Sequence, residues 1–194
     1  MSTLPKSNEK IVKILKEIFF SFGWLAVILL IADIVTKICA MQYLKLGNSV
    51  VVIPHLLNLT LTYNTGAAWG LGGDNTWSRI ILIIISWAAM IFIIGYYIWK
   101  YKSLSKFYKA VLMVILAGDV GNLIDRTFFY ERGVVDFLDI TPLIPKFGIF
   151  NFADSCLVVG IFMLVIYYFV LWIKELKEER KRNIEEEKHN DSGK

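Results

Sequence analysis

The sequence predicts a membrane protein, mainly α-helical, with four transmembrane helices and a small extracytoplasmic β-containing loop on the membrane surface. Three observations predict it. Of the 194 residues, 56% are hydrophobic and four are proline, so a soluble fold would have to hide its apolar runs with very little polar covering. Three runs, at 18–44, 80–99 and 150–173, are long enough as helices to cross a hydrocarbon core of about 30 Å. The lysines and arginines crowd onto alternate connections, as they do when cations stay on the cytoplasmic side.

The run at 18–44 follows Lys6, Lys10, Lys13 and Lys16. It is too long for a cleaved leader and has no small-x-small exit, so it reads as a signal-anchor span. A further run at 107–124 is shorter and is interrupted by Gly118, Asp119, Gly121 and Asn122; it reads as a span with a polar exit. Lys100, Lys102, Lys106 and Lys109 stand in and around the link between the second and third spans, and seven more cations follow residue 173. The long links 45–79 and 125–149 hold only Lys45, Arg79, Arg126, Arg132 and Lys146. The bias puts both termini in the cytoplasm and both long loops outside. Residues 1–17 are then a cytoplasmic segment, 18–173 a four-span membrane domain, and 174–194 a charged cytoplasmic tail that extends the last helix before fraying. This distribution accounts for the formal charge of +4, and no nucleic-acid partner is needed. Cys39 and Cys156 lie in or beside different spans without metal-type spacing, as packing residues do.

The first outer loop has its own pattern. "LNLTLTYN" alternates Leu57, Leu59, Leu61 and Tyr63 with Asn58, Thr60, Thr62 and Asn64, the period of a half-buried strand. "SVVVI" before it is β-branched and ends at Pro54. The tip, "NTGAAWGLGGDN", supplies small residues where another chain can approach closely, although turn glycines in a structural loop would look the same.

Polar residues in or beside the spans are the candidates for function. Asp33 falls about 22 Å along a helix counted from Ile18, near the outer boundary, with Lys37 in the favourable i,i+4 order; an internal ion pair and a role in binding are both open. Asn122 and Asp125 share a helix face. Arg126 follows them with a planar fork suited to carbonyls or an anion. Asp125 reads as a structural partner, Asn122 and Arg126 as ligand contacts. Asp136, in "GVVDFLD", is set among apolar residues. Asp154, in "NFADSC", opens the last helix, where Asn151 can act as N-cap and leave Asp154 at the third position, its charge complementing the helix dipole.

Asp136 and Asp154 both fall at the outer boundary, joined by a loop with Pro142, Pro145 and Gly148 that can fold back. Two carboxylates in contact cannot both ionise cheaply, so one keeps a proton and serves as acid while the other serves as base. Such a dyad activates water against an amide with neither metal nor nucleophilic side chain. His55 and His189 fall on opposite sides of the membrane, so no His-based metal cluster or Ser-His pair can be drawn, and no cofactor is implied. A proton-coupled carrier using Asp33, Asp125 and Asp136, and a scaffold whose acids fasten helices, are the competing readings. The carrier is weakened because the acids gather at one boundary and four spans offer no inverted repeat.

The order Asp33-x-x-Thr36-Lys37, "NTGAAWG", "GNLIDR", "VVDF" and "FNFADS" resembles bacterial lipoprotein signal peptidase, or signal peptidase II, from about Asp33 to Ser155. The resemblance implies an intramembrane aspartyl protease of the bacterial cytoplasmic membrane that cuts lipid-modified prolipoproteins before a diacylglyceryl cysteine. It implies that Asp136 and Asp154 are the catalytic dyad, that Asp33, Asn64, Asn122 and Arg126 hold substrate and shape the site, and that Asp125 supports them. Lys37, Gly66 and Asn151, which lie in or beside the matching motifs, are further supporting candidates. It also implies a strand-built cradle on the membrane surface and inhibition by globomycin-type cyclic peptides. The chain departs from the family pattern in a longer "TFFYERG" stretch, in Tyr63 where arginine is expected, and in the added acid Asp119.

Overall fold

The computed structural model describes residue 12 and residues 16–67 and 75–192, with the side chains of 186–192 left out; the N-terminal lysines Lys6, Lys10 and Lys13 and the whole "GLGGD" stretch of the tip lie outside the described residues. Among the described residues, four helices are long and apolar enough to cross a membrane. The first regular helix, α1, runs Trp24–Tyr43, behind a π-helical turn at Phe19–Gly23. The sequence reads 18–44 as one span, but the helix breaks at Ser21 and Phe22, whose backbone angles are non-helical. Side chains from other helices account for the break: the Tyr97 hydroxyl donates to the Ser21 carbonyl, and Lys109 Nζ donates to Ser21 Oγ at 3.0 Å.

Strands β1 (Ser49–Ile53) and β2 (Leu57–Asn64) are the two segments that the alternation and the β-branched run predict. They form an antiparallel hairpin, and β3 (Val134–Asp139) adds to the free side of β2, so the order is β1-β2-β3. Leu61, Val135 and Phe137 pack under the sheet against Ala40, with Met41 and Leu44 beside them, seating the sheet on the C-terminal end of α1. Ser49, Thr60 and Asp139 fasten the three strands side chain to side chain, at 2.7 Å between Ser49 and Thr60 and 2.9 Å between Thr60 and Asp139.

Helix α2 (Thr76–Lys100) begins at Asn75, whose side chain accepts from the Trp77 amide at 2.9 Å, and buries only Tyr97 among its described residues. Helix α3 (Lys106–Phe128) is the opposite case: Val111, Leu112, Met113, Ala117 and Leu123 are buried with Asp119, Asn122 and Asp125. It packs against α1, α2 and α4. The predicted polar exit therefore continues as helix to Phe128, because its polar groups find partners on the neighbouring helices. Gly121 permits this, since a Cβ there would lie 2.5 Å from Asp33 Oδ2. Helix α4 (Phe152–Ser192) runs 41 residues without interruption, about 60 Å at 1.5 Å per residue, and so carries the apolar span directly into the charged tail.

Candidate functional site

Asn151 is the joint of the site. Its side-chain oxygen accepts from the Asp154 amide at 2.9 Å while its own amide donates to Asp154 Oδ2 at 3.0 Å, a reciprocal cap on the first turn of α4. Its Nδ2 donates to Asp136 Oδ1 at 2.7 Å and to Asn122 Oδ1 at 3.0 Å. One fully buried residue thus touches both carboxylates.

Asp136 arrives on β3, opposite Thr62 of β2, and is 1% exposed. Burial, and after it the charge of Asp154, push its carboxyl up from the ordinary 3.8 to about 7, against the hydrogen bonds from Asn64 and Asn151 and the nearby Lys37 charge. Asp154, on α4, accepts from Asn122 Nδ2 at 2.7 Å as well as from the Asn151 amide. Both of these partners are N–H donors. Asn64, at the end of β2, is oriented by the Gly66 amide, which donates to its Oδ1 at 3.0 Å, and its own Nδ2 donates to the Ala67 carbonyl at 3.3 Å.

Behind the dyad lies a chain of four charges. Lys37 Nζ is 2.8 Å from Asp33 Oδ2 and 2.9 Å from Asp125 Oδ2, and Asp125 Oδ1 is 2.8 Å from an Arg132 guanidinium nitrogen. Lys37 also donates to the Gly121 carbonyl at 3.2 Å and to Asn122 Oδ1 at 3.3 Å. Asp33 Oδ1 in turn accepts from the Ala153 amide at 2.9 Å, tying α1 to the first turn of α4. Asp33 and Lys37 form an ion pair, one of the two readings left open for them, and Asp125 is paired with Lys37 and Arg132. The Asn122 amide is taken on both sides, by Asp154 and by Asn151 and Lys37, so it stands behind the dyad.

A cavity of about 480 Å³ opens in front of it. Asn64, Arg126, Asp136 and Asp154 form its polar end, and Phe147, Ile149, Leu157 and Val158 are among its apolar walls. Arg126 therefore reaches the open space beside Asp154 and Asp136. Val158 is 68% exposed, so the apolar side of the cavity continues onto the lipid-facing surface of α4. Asp119 is outside this lining and hydrogen-bonds to Ser86 of α2. Cys156 is buried, as a packing residue should be; Cys39 is exposed on α1.

Sequence reasoning did not single out Arg132 or the strand that carries Asp136. "TFFYERG" has no periodicity to assign Arg132 a direction, and "VVDFLD" is too short and too apolar for alternation to distinguish a strand from a buried loop. The one local signal was Asp139 followed two residues later by Thr141, a turn pattern. In the structure Asp139 Oδ1 accepts from the Thr141 amide and hydroxyl at 2.9 and 2.6 Å.

The chain is similar to known proteins over most of its length. A family profile described as "Signal peptidase (SPase) II" matches residues 25–170. Proteins named lipoprotein signal peptidase from Staphylococcus aureus strains MRSA252 and Newman are 41% identical over 143 residues, covering 73% of this chain and 83% of theirs. Two solved structures, described as bacterial membrane enzymes determined by the in meso method at 2.3 and 1.9 Å, are similar with TM-scores of 0.65. They share 34% and 35% identity with this chain, over 75% of it and 85% and 90% of their own lengths.

Proposed function

The chain belongs to the signal peptidase II family, a membrane protease acting on lipoprotein signal peptides, and we propose that it works as an aspartyl endopeptidase with Asp136 and Asp154 as its dyad. It cuts prolipoproteins before the diacylglyceryl cysteine. The observation that carries this reading is the single asparagine, Asn151, bonded to both carboxylates at the polar end of an otherwise apolar cavity. A lipid-anchored substrate suits that cavity, because its acyl chains can stay against the apolar wall and the lipid while its peptide bond reaches the acids.

The chemistry follows from the different settings of the two acids. Asp136, held protonated by burial and by its neighbour, donates to the scissile carbonyl oxygen; Asp154 takes a proton from water as the water oxygen attacks the carbonyl carbon. The resulting gem-diol collapses when Asp136 recovers a proton from a hydroxyl and Asp154 delivers one to the leaving nitrogen. The C–N bond breaks, the signal peptide leaves as a carboxylic acid, and the cysteine gains a free amine. The dyad returns with one shared proton. Arg126, with Asn64 beside Asp136, holds the carbonyl groups on either side of the bond, and globomycin-type cyclic peptides would compete for this cavity.

The distribution of lysine and arginine supports a bacterial cytoplasmic-membrane protein with both termini and the 174–194 tail in the cytoplasm and the site at the outer boundary. The test uses purified protein and a diacylglyceryl-modified prolipoprotein in detergent, following the gel shift on loss of the signal peptide. The parent should cut, and Asp136→Asn and Asp154→Asn, folded to the same extent, should each cut about a thousandfold more slowly or not at all. Parent-like cleavage by either variant would remove the dyad assignment.

A further inference from the structure

Asp136 and Asp154 come from different bodies. Asp136 is carried by the sheet and Asp154 by α4, so the separation of the two carboxylates depends on how the sheet seats on the helices. Arg132 holds that seat. Its guanidinium pairs with Asp125 of α3 at 2.8 Å, donates to Met41 Sδ of α1 at 3.1 Å, and lies 5.8 Å from the Tyr63 ring of β2 and 4.3 Å from the Phe129 ring at the end of α3. One planar group therefore touches α1, α3, the turn after α3 and β2.

The turn it belongs to is tightly wound: the Arg132 and Gly133 amides both donate to the Phe129 carbonyl, at 3.0 and 2.9 Å. Gly133 has φ +80, and a Cβ there would lie 2.6 Å from the Asn64 carbonyl oxygen, so the chain enters β3 pressed against β2. Asp125, fixed between Arg132 and Lys37, also faces the amide of Val135 at 3.4 Å, the residue before Asp136. From Arg132 to the acid the path is Arg132, Asp125, Val135, Asp136.

We propose that Arg132 is a positioning residue of the peptidase, whose fork clamps the sheet to the bundle and sets the distance of Asp136 from Asp154. The proposal rests on the dyad reading above and adds to it a residue of the lengthened stretch before β3. A fork is required because Asp125 and Met41 lie on different helices and the two terminal nitrogens reach one each; the single ammonium of lysine cannot span both. Small displacements between reacting groups are expensive, with about 1 Å costing up to roughly a hundredfold in rate.

The test compares Arg132→Gln and Arg132→Lys with the parent in the cleavage assay, with rates expressed per folded molecule. Arg132→Gln should lower kcat about tenfold to a hundredfold with KM within about threefold, and Arg132→Lys should recover part of the loss. A second readout is the alkaline limb of the pH profile. The charged groups facing Asp136 are Asp154 from α4, Lys37 from α1 and Arg126 from α3, with Asn64 of β2 and Asn151 as neutral donors. If β3 drifts outward, Asp136 gains water and loses the push of Asp154, so the limb moves to lower pH in Arg132→Gln and less in Arg132→Lys. A lowered unfolding temperature with parent-like kcat and an unmoved limb would make Arg132 merely structural and overturn the proposal. A limb moving to higher pH would mean that its charge, and not its clamp, is what matters, and would overturn it equally. A parent that does not cut would instead strike the dyad reading itself.

Discussion

The two ends of α3 are built on opposite principles. Near its N-terminus, Tyr108 packs with Tyr97, Leu112 and Met113, surrounded by Tyr96, Tyr101 and Tyr167. Rings meet edge-on or tilted at 5.1 to 6.4 Å, and the Tyr108 and Tyr168 hydroxyls sit 3.1 Å apart. Near its C-terminus, about 26 Å away along the helix, Asn122, Asp125 and Arg126 enter a network of charges and amides. The aromatic end is redundant, because many weak contacts share the load. The polar end is not: Asp33, Lys37 and Asp125 each have only one or two partners of opposite charge and strand them when lost. The acids proposed as the dyad thus occupy the part of the molecule least able to tolerate substitution.

The largest stability effect should come from breaking that polar end at its centre. Lys37→Met leaves Asp33 and Asp125 facing each other without their shared cation, and removing one partner of a buried pair costs roughly 3–5 kcal/mol. Thermal unfolding in detergent should show this as a large fall in midpoint, with cleavage lost alongside. A small shift would mean that water reaches these acids and that the contrast between the ends is overstated.

Next in size is Asn151→Ala, which removes the side-chain bonds to Asp136, to Asn122 and to the Asp154 amide while deleting no charge and keeping the backbone amide that donates to Asp154 Oδ2. Cleavage should fall about a hundredfold, because Asp136 loses the side chain that ties it to the first turn of α4 and keeps only the position its strand gives it. The cap on α4 goes with it, at about 1 kcal/mol. A variant that lost the kilocalorie but kept its rate would show that Asn151 caps the helix and does nothing for the acids.

Asp136 offers a sharper comparison, since its two roles separate with pH. Its carboxyl is raised from 3.8 to about 7, so the folded chain holds a proton that the unfolded chain releases. Its contribution favours the fold below the unfolded value and is lost as pH rises through the folded one. Asp136→Asn escapes this loss. Its stability relative to the parent should therefore grow between about pH 5 and 7, by about 2 kcal/mol, and then level off. Activity should move the other way, being about a thousandfold lower or lost in the variant at every pH. In the parent, kcat/KM should fall above about 7, with the apparent value belonging to the pair and not to Asp136 alone. A pH-independent difference in stability would mean that Asp136 is not desolvated as its burial implies.

How much of this was legible in the sequence differs between the two ends for a physical reason. The site residues announced themselves because charges in apolar runs are costly wherever they fall, so Asp33, Lys37, Asp125 and Asp154 could be marked without knowing their partners. The strands β1 and β2 were legible from alternation and β-branching. What could not be read was the connection: that Asn151, legible as the cap of α4, would also bridge to Asp136, that Asp125 would collect Arg132, and that β3 would pair with β2 from seventy residues away or more. These are facts of tertiary approach, and no local period encodes them. The break at Ser21 and Phe22 was hidden for the same reason, since its cause sits on α2 and α3.

That break gives the smallest and most discriminating prediction. Tyr97 is 2% exposed, and its hydroxyl donates to the Ser21 carbonyl at the point where the chain leaves helical geometry. Tyr97→Phe keeps the ring in place and removes only that bond, so stability should fall by about 1 kcal/mol. Lys109 still holds Ser21 Oγ, and the surrounding rings still pack, so the break should persist. No charge is stranded and no element carrying Asp136 or Asp154 moves, so cleavage per folded molecule should match the parent at every pH. A change in rate or in the alkaline limb would mean that the aromatic end is coupled to the acids through α3, and the two ends would then have to be treated as one cooperative unit.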